Sequence, residues 1–201
     1  MNLYEKIGPV LFLASAMVFR PAVAAASDWE IDSAKSSLAF SGTQTGAKFS
    51  GKFSRYNAVI AFDPDHLDLA HILVTVDLAS AGTGDTQRDS ALPGSDWFSA
   101  SKYPQAKFEA DKILKTGPNS FQAVGTLSLR GVTKPLVLPF EFQLDGNEGH
   151  AKGHASLNRA AFGVGQGAFS TGQWVGLDVG IDIDIFARRS SQADRSERGR
   201  T

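Results

Sequence analysis

The chain has 201 residues, 20 Lys and Arg against 21 Asp and Glu, and a formal charge of -1. That balance excludes a broad cationic face for nucleic acid. The absence of cysteine excludes disulfides, thiolate nucleophiles and Cys-ligated metals.

Met1 to Lys6 is a short polar start, and Ile7 to Phe19 an apolar run. The run is too short for a bilayer core, which takes roughly 20 helical residues. Ala22-Val23-Ala24 and Ala24-Ala25-Ala26 are cleavage patterns, so residues 1–26 are expected to be an export signal. The mature chain would start at Ala25 or Ser27 and work outside the cytoplasm, in the periplasm. An uncleaved anchor is the alternative.

Period-2 alternation then dominates the chain. Asp28-Trp29-Glu30 is expected to open the first strand. Leu38 and Phe40 share a face, as do Phe49, Gly51 and Phe53. After the turn Asp63-Pro64-Asp65, the residues Ile72, Val74, Val76 and Leu78 alternate with polar or outward positions. Only Asp85 to Ser101 breaks the pattern, with short helical turns expected over Thr86–Leu92 and Asp96–Ala100. Phe121, Ala123, Gly125, Leu127 and Leu129 form the next row, bounded by Gly117-Pro118-Asn119 and Arg130-Gly131. Leu136, Leu138, Phe140 and Phe142 follow, up to Asp145-Gly146-Asn147. The clearest row is Val175, Leu177, Val179, Ile181, Ile183 and Ile185, predicting one long strand with a wet face. Residues 188–201 carry five Arg and no apolar residue except Ala193, and are expected to be a disordered tail. A weak electrostatic tether to anionic lipid is the other reading of this tail. The rest, residues 27–187, reads as one all-β domain. Eight or more antiparallel strands with one apolar face make a closed barrel or a sandwich.

Several constellations suggest chemistry and fail on geometry. His150 and His154 have the spacing of helical zinc ligands but lie in a strand, where four residues span about 13 Å. Ligands of one zinc sit within about 2.1 Å of the metal, so no metal site is expected. His66 and His71 are expected at the surface. Asp182 and Asp184 share a strand face about 7 Å apart, a separation that suits a glycosidase pair. They stand opposite the apolar row, where polar residues meet water. No G-x-S-x-G elbow occurs, and Gly82-Thr83-Gly84-Asp85 lacks the Lys of a phosphate loop. What remains is the aromatic surplus. An eight-stranded closed sheet is just wide enough to hold one small ligand.

The order of short motifs resembles the YceI-like family of exported polyisoprenoid-binding proteins. The motifs begin with Trp29-Glu30-Ile31-Asp32, Phe49-Ser50-Gly51-Lys52-Phe53 and Phe62-Asp63-Pro64. Ala79-Ser80-Ala81-Gly82-Thr83, Arg88-Asp89-Ser90-Ala91-Leu92, Ser95-Asp96-Trp97-Phe98 and Tyr103-Pro104-Gln105-Ala106-Lys107-Phe108 continue the series. Most distinctive are Gly125-Thr126-Leu127-Ser128-Leu129-Arg130-Gly131-Val132-Thr133-Lys134-Pro135 and Leu157-Asn158-Arg159-Ala160-Ala161-Phe162-Gly163-Val164. The resemblance implies an antiparallel lipocalin-like closed barrel whose cavity holds a polyprenyl lipid or the tail of an isoprenoid quinone. It also implies an association with membrane b-type cytochromes. Two histidines common among relatives are replaced by Lys35 and by Gln44 of Gln44-Thr45-Gly46.

The cavity is therefore expected to be lined by Phe40, Phe49, Phe53, Ile60, Val74, Val76, Phe108, Leu127, Leu129, Leu138, Phe140, Ile181 and Ile183. Trp97, Phe98 and Phe162 are expected to cap it from loops. Gln44 and Arg88 are candidates for a polar head group. Arg88, Asp89 and Asp96 are expected to pair over the mouth, and Asn158-Arg159 to satisfy a turn. The leading expectation is a non-catalytic carrier of an isoprenoid lipid or quinone with no other cofactor. The alternatives are a module supplying quinone to a b-type cytochrome and a hydrolase using Asp182 and Asp184.

Overall fold

A computed structural model describes residues 27–190. The expected export segment and residues 191–201 of the expected tail lie outside the described residues.

Eleven strands form one antiparallel sheet: β1 (Asp28–Ile31), β2 (Ser37–Gln44), β3 (Ala47–Phe53), β4 (Tyr56–Ala61), β5 (His71–Asp77) and β6 (Ala81–Gly82), then β7 (Gln105–Lys115), β8 (Ser120–Leu129), β9 (Val132–Asp145), β10 (Glu148–Asn158) and β11 (Asp178–Arg189). The first six behave as three interrupted strands. β1 and β2 run as one against β4 and β3, with Trp29 opposite Ile60 and Leu38 opposite Phe53. β5 and β6 continue alongside, with Val76 opposite Tyr56 and Gly82 opposite Lys52. β11 closes the ring by pairing with β2 through Ile181 and Phe40 and with β1 through Arg189 and Trp29. The result is a closed barrel of eight strands, which leaves few free edges.

The three interruptions lie side by side, and each is satisfied locally. Asp32 Oδ1 accepts from the amides of Ala34 and Lys35 at 3.1 and 3.3 Å. At the β3–β4 break, Arg55 N donates to Ser80 Oγ at 3.1 Å. Asp77 caps the turn after β5 by accepting from Ala79 N at 2.9 Å. A backbone leaving a sheet inside a barrel needs such partners, because its own groups would otherwise be buried unpaired.

The interior packs in two halves. Around the level of β2 and β6, Leu38, Phe40, Leu78, Leu92 and Phe98 are buried together. At the other end, Trp29, Phe62, Phe121, Phe140 and Phe142 form an aromatic plug. Phe62 meets the rings of Phe121, Phe140 and Phe142 edge-on at 5.1–5.8 Å between centroids. Trp29 Nε1 donates to the Phe62 carbonyl at 2.8 Å, so the indole's one polar group is paired while its rings are buried.

Three local expectations are corrected. Thr86–Ala91 is an α-helix (α1), but Asp96–Ala100 is a series of turns, because Ser99 takes a left-handed backbone with φ +51°. The last strand starts at Asp178 rather than Val175, which makes only an isolated bridge to Gln44. It also runs past Ala187. Arg188 and Arg189, read as tail, are strand residues opposite Glu30 and Trp29.

Candidate functional site

The half of the barrel away from the plug encloses a cavity of about 290 Å³. Inward positions of the alternating strands supply its walls. β2, β3 and β5 contribute Phe40, Phe49, Phe53 and Val76, β8 contributes Leu127 and Leu129, and β11 contributes Ile181. Trp97 and Phe98 reach it from the loop after α1. Val74, Phe108, Leu138 and Ile183 stand at its inner limit and also face a second, smaller cavity of about 100 Å³. Ile60 and Phe140 line only that second cavity.

Phe162 lines neither cavity. It sits in a 3-10 turn after β10 and is buried among the core side chains instead. The following Gly163, at φ +69°, turns the chain out of the helical path and leaves the ring pointing into packed protein.

Gln44 and Arg88 both line the outer cavity. Arg88 is fixed from three sides. Its Nε donates to Thr83 Oγ1 at 2.9 Å, one Nη donates to Gln44 Oε1, and the guanidinium lies 4.5 Å from the centroid of the Phe49 ring. Asp85 caps α1 through Arg88 N at 2.9 Å and lies 3.7 Å from the Arg88 guanidinium. The expected pairing among Arg88, Asp89 and Asp96 is replaced by a different division of labour. Asp89 accepts from Thr83 Oγ1 at 2.6 Å, Thr83 N at 2.7 Å and Gly84 N at 3.2 Å. Those bonds, the Thr83 hydroxyl's first, hold its carboxyl below the usual carboxylate range. Asp96 acts through its backbone carbonyl, which accepts from Gly165 N and Gln166 N at 2.8 Å each.

The residue that reading by pattern misses is Arg159. It is 2% exposed and lines the cavity, with its partners Val175 and Gly176 held beside Gln44 and Thr43 at the end of β2. Its Nε donates to the Gly176 carbonyl at 2.9 Å and one Nη to Val164 at 2.7 Å. The other Nη donates to Phe169 and Val175, both at 2.6 Å. Burial lowers its pKa from the ordinary guanidinium value. Asn158 satisfies the expected turn, its Oδ1 accepting from Ala160 N at 2.9 Å, while Arg159 goes further and gathers the whole loop between β10 and β11. Trp97 packs on this assembly, 5.3 Å from Arg159 and 5.1 Å from the Phe169 ring. The available signal was the glycine-rich stretch from Gly163 to Gly176. An irregular segment of that length, laid over a core, needs donors for its carbonyls.

The acidic residues, lysines and histidines of the strands line neither of these two cavities. Asp182 and Asp184 alternate with the cavity-side Ile181 and Ile183, and each meets a histidine across β10. His154 and Asp182 are 2.7 Å apart, as are His150 and Asp184, with Lys152 at 3.5 Å from Asp184. The His150 hydrogen bond holds Asp184 below the usual carboxylate range. His71 lies 2.6 Å from Asp111, and His66 3.6 Å from Asp63. Each histidine thus has an aspartate neighbour. Among the described residues no three His, Cys, Asp or Glu side chains gather as metal ligands.

A closed eight-stranded antiparallel barrel, apolar within and polar at one rim, defines the class of protein. The chain belongs to the YceI-like domain family, whose model matches residues 29–187. A UPF0312 protein of Vibrio parahaemolyticus is 32% identical over 139 residues, covering 68% of this chain and 73% of the relative. Burkholderia cenocepacia BcnA has a similar fold, with a TM-score of 0.75 and 29% identity over 78% of this chain and 99% of its own. A polyisoprenoid binding domain from Saccharophagus degradans, implicated in plant cell wall breakdown, has a TM-score of 0.62. At 14% identity over 82% of this chain and 99% of that one, it shows the shared fold.

Proposed function

We propose that this protein binds an isoprenoid lipid, either a polyprenyl chain or an isoprenoid quinone, inside the barrel and carries it without catalysis in the periplasm. The observation that carries the reading is the polarity gradient of the outer cavity. Its body is built from Phe, Leu, Val and Ile, while Gln44, Asp85, Gln87 and Arg88 supply polar groups at one side. Such a cavity suits a molecule with an apolar chain and one polar end. Burying each CH2 stabilises the bound chain by about 0.8 kcal/mol, which over several units offsets the cost of ordering it. Gln44 and Arg88 would hold a quinone oxygen, exchanging their mutual hydrogen bond for bonds to the ligand. Residues 1–26 have the pattern of an export signal, which supports a periplasmic carrier.

The test is a titration with a quinone bearing two isoprene units, followed through tryptophan fluorescence, since Trp97 lines the cavity. Saturable quenching at one quinone per chain is expected. Arg88→Met weakens it about tenfold, the scale of one hydrogen bond from a charged group. If neither quinone nor prenol saturates the protein, the reading fails.

A further inference from the structure

The barrel interior is divided. The outer cavity of about 290 Å³ and the inner one of about 100 Å³ share five lining side chains: Leu38, Val74, Phe108, Leu138 and Ile183. These form a waist. Leu38 lies opposite Ile183 across β2 and β11, and Val74 opposite Phe108 across β5 and β7. Leu38 is the second residue of β2, just past the break from β1.

The inner chamber has a wall of carbon alone. Trp29 lines it, but its indole nitrogen is committed to the Phe62 carbonyl. Tyr56 lines it with ring carbon, and its buried hydroxyl makes no hydrogen bond within the protein. That lone hydroxyl apart, the chamber offers no polar group or charge to a head group. It ends against the plug, where Phe62, Phe140 and Phe142 close the barrel.

We propose that the inner chamber receives the terminal isoprene unit of the bound chain and sets how much chain the barrel encloses. This rests on the isoprenoid reading above. Scale supports it: a cavity of about 150 Å³ takes a six-carbon benzene ring. On that scale the inner chamber takes about one five-carbon unit and the outer cavity about two. A chain of three units has its polar end near Gln44 and Arg88, passes the waist, and ends on the aromatic plug. Units beyond the third remain outside the barrel and gain little from it.

The experiment measures affinity for geraniol, farnesol, geranylgeraniol and solanesol, prenols of two, three, four and nine units. Two variants fill the inner chamber from different strands: Ala151→Leu on β10 and Ala58→Leu on β4, both chamber-lining positions. The wild-type protein is expected to bind farnesol at least about tenfold more tightly than geraniol, with less than about twofold gained by each longer chain. Each variant is expected to bind geraniol as the wild type does and to lose the tenfold step. Geraniol binding thus reports that the variant has folded. Persistence of the step in both variants overturns the proposal, as does tenfold gain continuing through solanesol. Loss of geraniol binding in both variants, with the wild-type circular dichroism spectrum and unfolding midpoint retained, also overturns it, because the chambers would then not be separable. If the wild type binds no prenol of any length, the isoprenoid reading itself falls.

Discussion

Replacing Arg159 by Met is expected to lower folding stability by about 4 kcal/mol, near the top of the range for losing a buried, hydrogen-bonded charge. The side chain fills similar space, so the loss comes from its partners. The carbonyls of Val164, Phe169, Val175 and Gly176 lose their guanidinium donors, and each buried carbonyl left unpaired costs about 1–3 kcal/mol. Partial entry of water limits the sum. Arg159→Lys is expected to recover only a small part, because an ammonium lacks the planar fork that reaches several acceptors at once. Urea unfolding with unchanged slope measures the loss. A loss below about 1 kcal/mol would show that the loop holds together without this residue.

Gly125→Ala is expected to cost about 3 kcal/mol, at the upper end for overpacking. Gly125 faces the irregular stretch of β7, where the register with β8 shifts between Glu109 and Lys112. A Cβ at Gly125 would stand 2.1 Å from the Glu109 carbonyl oxygen and 2.8 Å from Ala110 Cβ. These are backbone-fixed atoms with no rotamer by which to retreat. Either the bulge is lost or the β7–β8 pairing opens. Gly82→Ala is the control, since its Cβ would meet only Asp89 Oδ2 at 4.0 Å. That change is expected to stay within about 0.5 kcal/mol. Thermal unfolding of both variants tests the contrast, and equal midpoints would contradict it.

The barrel was legible because its inner wall is written at period two. Phe40, Val76, Leu127 and Ile181 occur at alternating positions, and the strands carry them inward with no long-range information. The start of β11 shows where such reading stops. Val175 and Leu177 continue the alternation, but the Val175 and Gly176 carbonyls turn to Arg159. Those acceptors are unavailable to a neighbouring strand, so regular pairing begins at Asp178. At the other end, the same strand continues through Arg188 and Arg189 because β1 offers pairing partners there. Two arginines in a charged run look like tail, and no local pattern indicates an edge waiting for them. Phe162 shows a third limit. An aromatic beside a glycine reads equally well as a gate or as core, and only packing around the turn decides between them. The division of the interior was likewise invisible, since the waist brings together side chains from β2, β5, β7, β9 and β11.

An isoprenoid lipid held in the barrel is tested most directly by native mass spectrometry of the full chain, expressed from residue 1 and purified from cells without detergent. A population heavier than the bare protein by one apolar molecule is expected, lost after organic extraction and carrying the five-carbon periodicity of an isoprenoid in fragmentation. Protein that emerges at its bare mass, and stays so after incubation with farnesol and with a short-chain quinone, would mean that the barrel holds no isoprenoid.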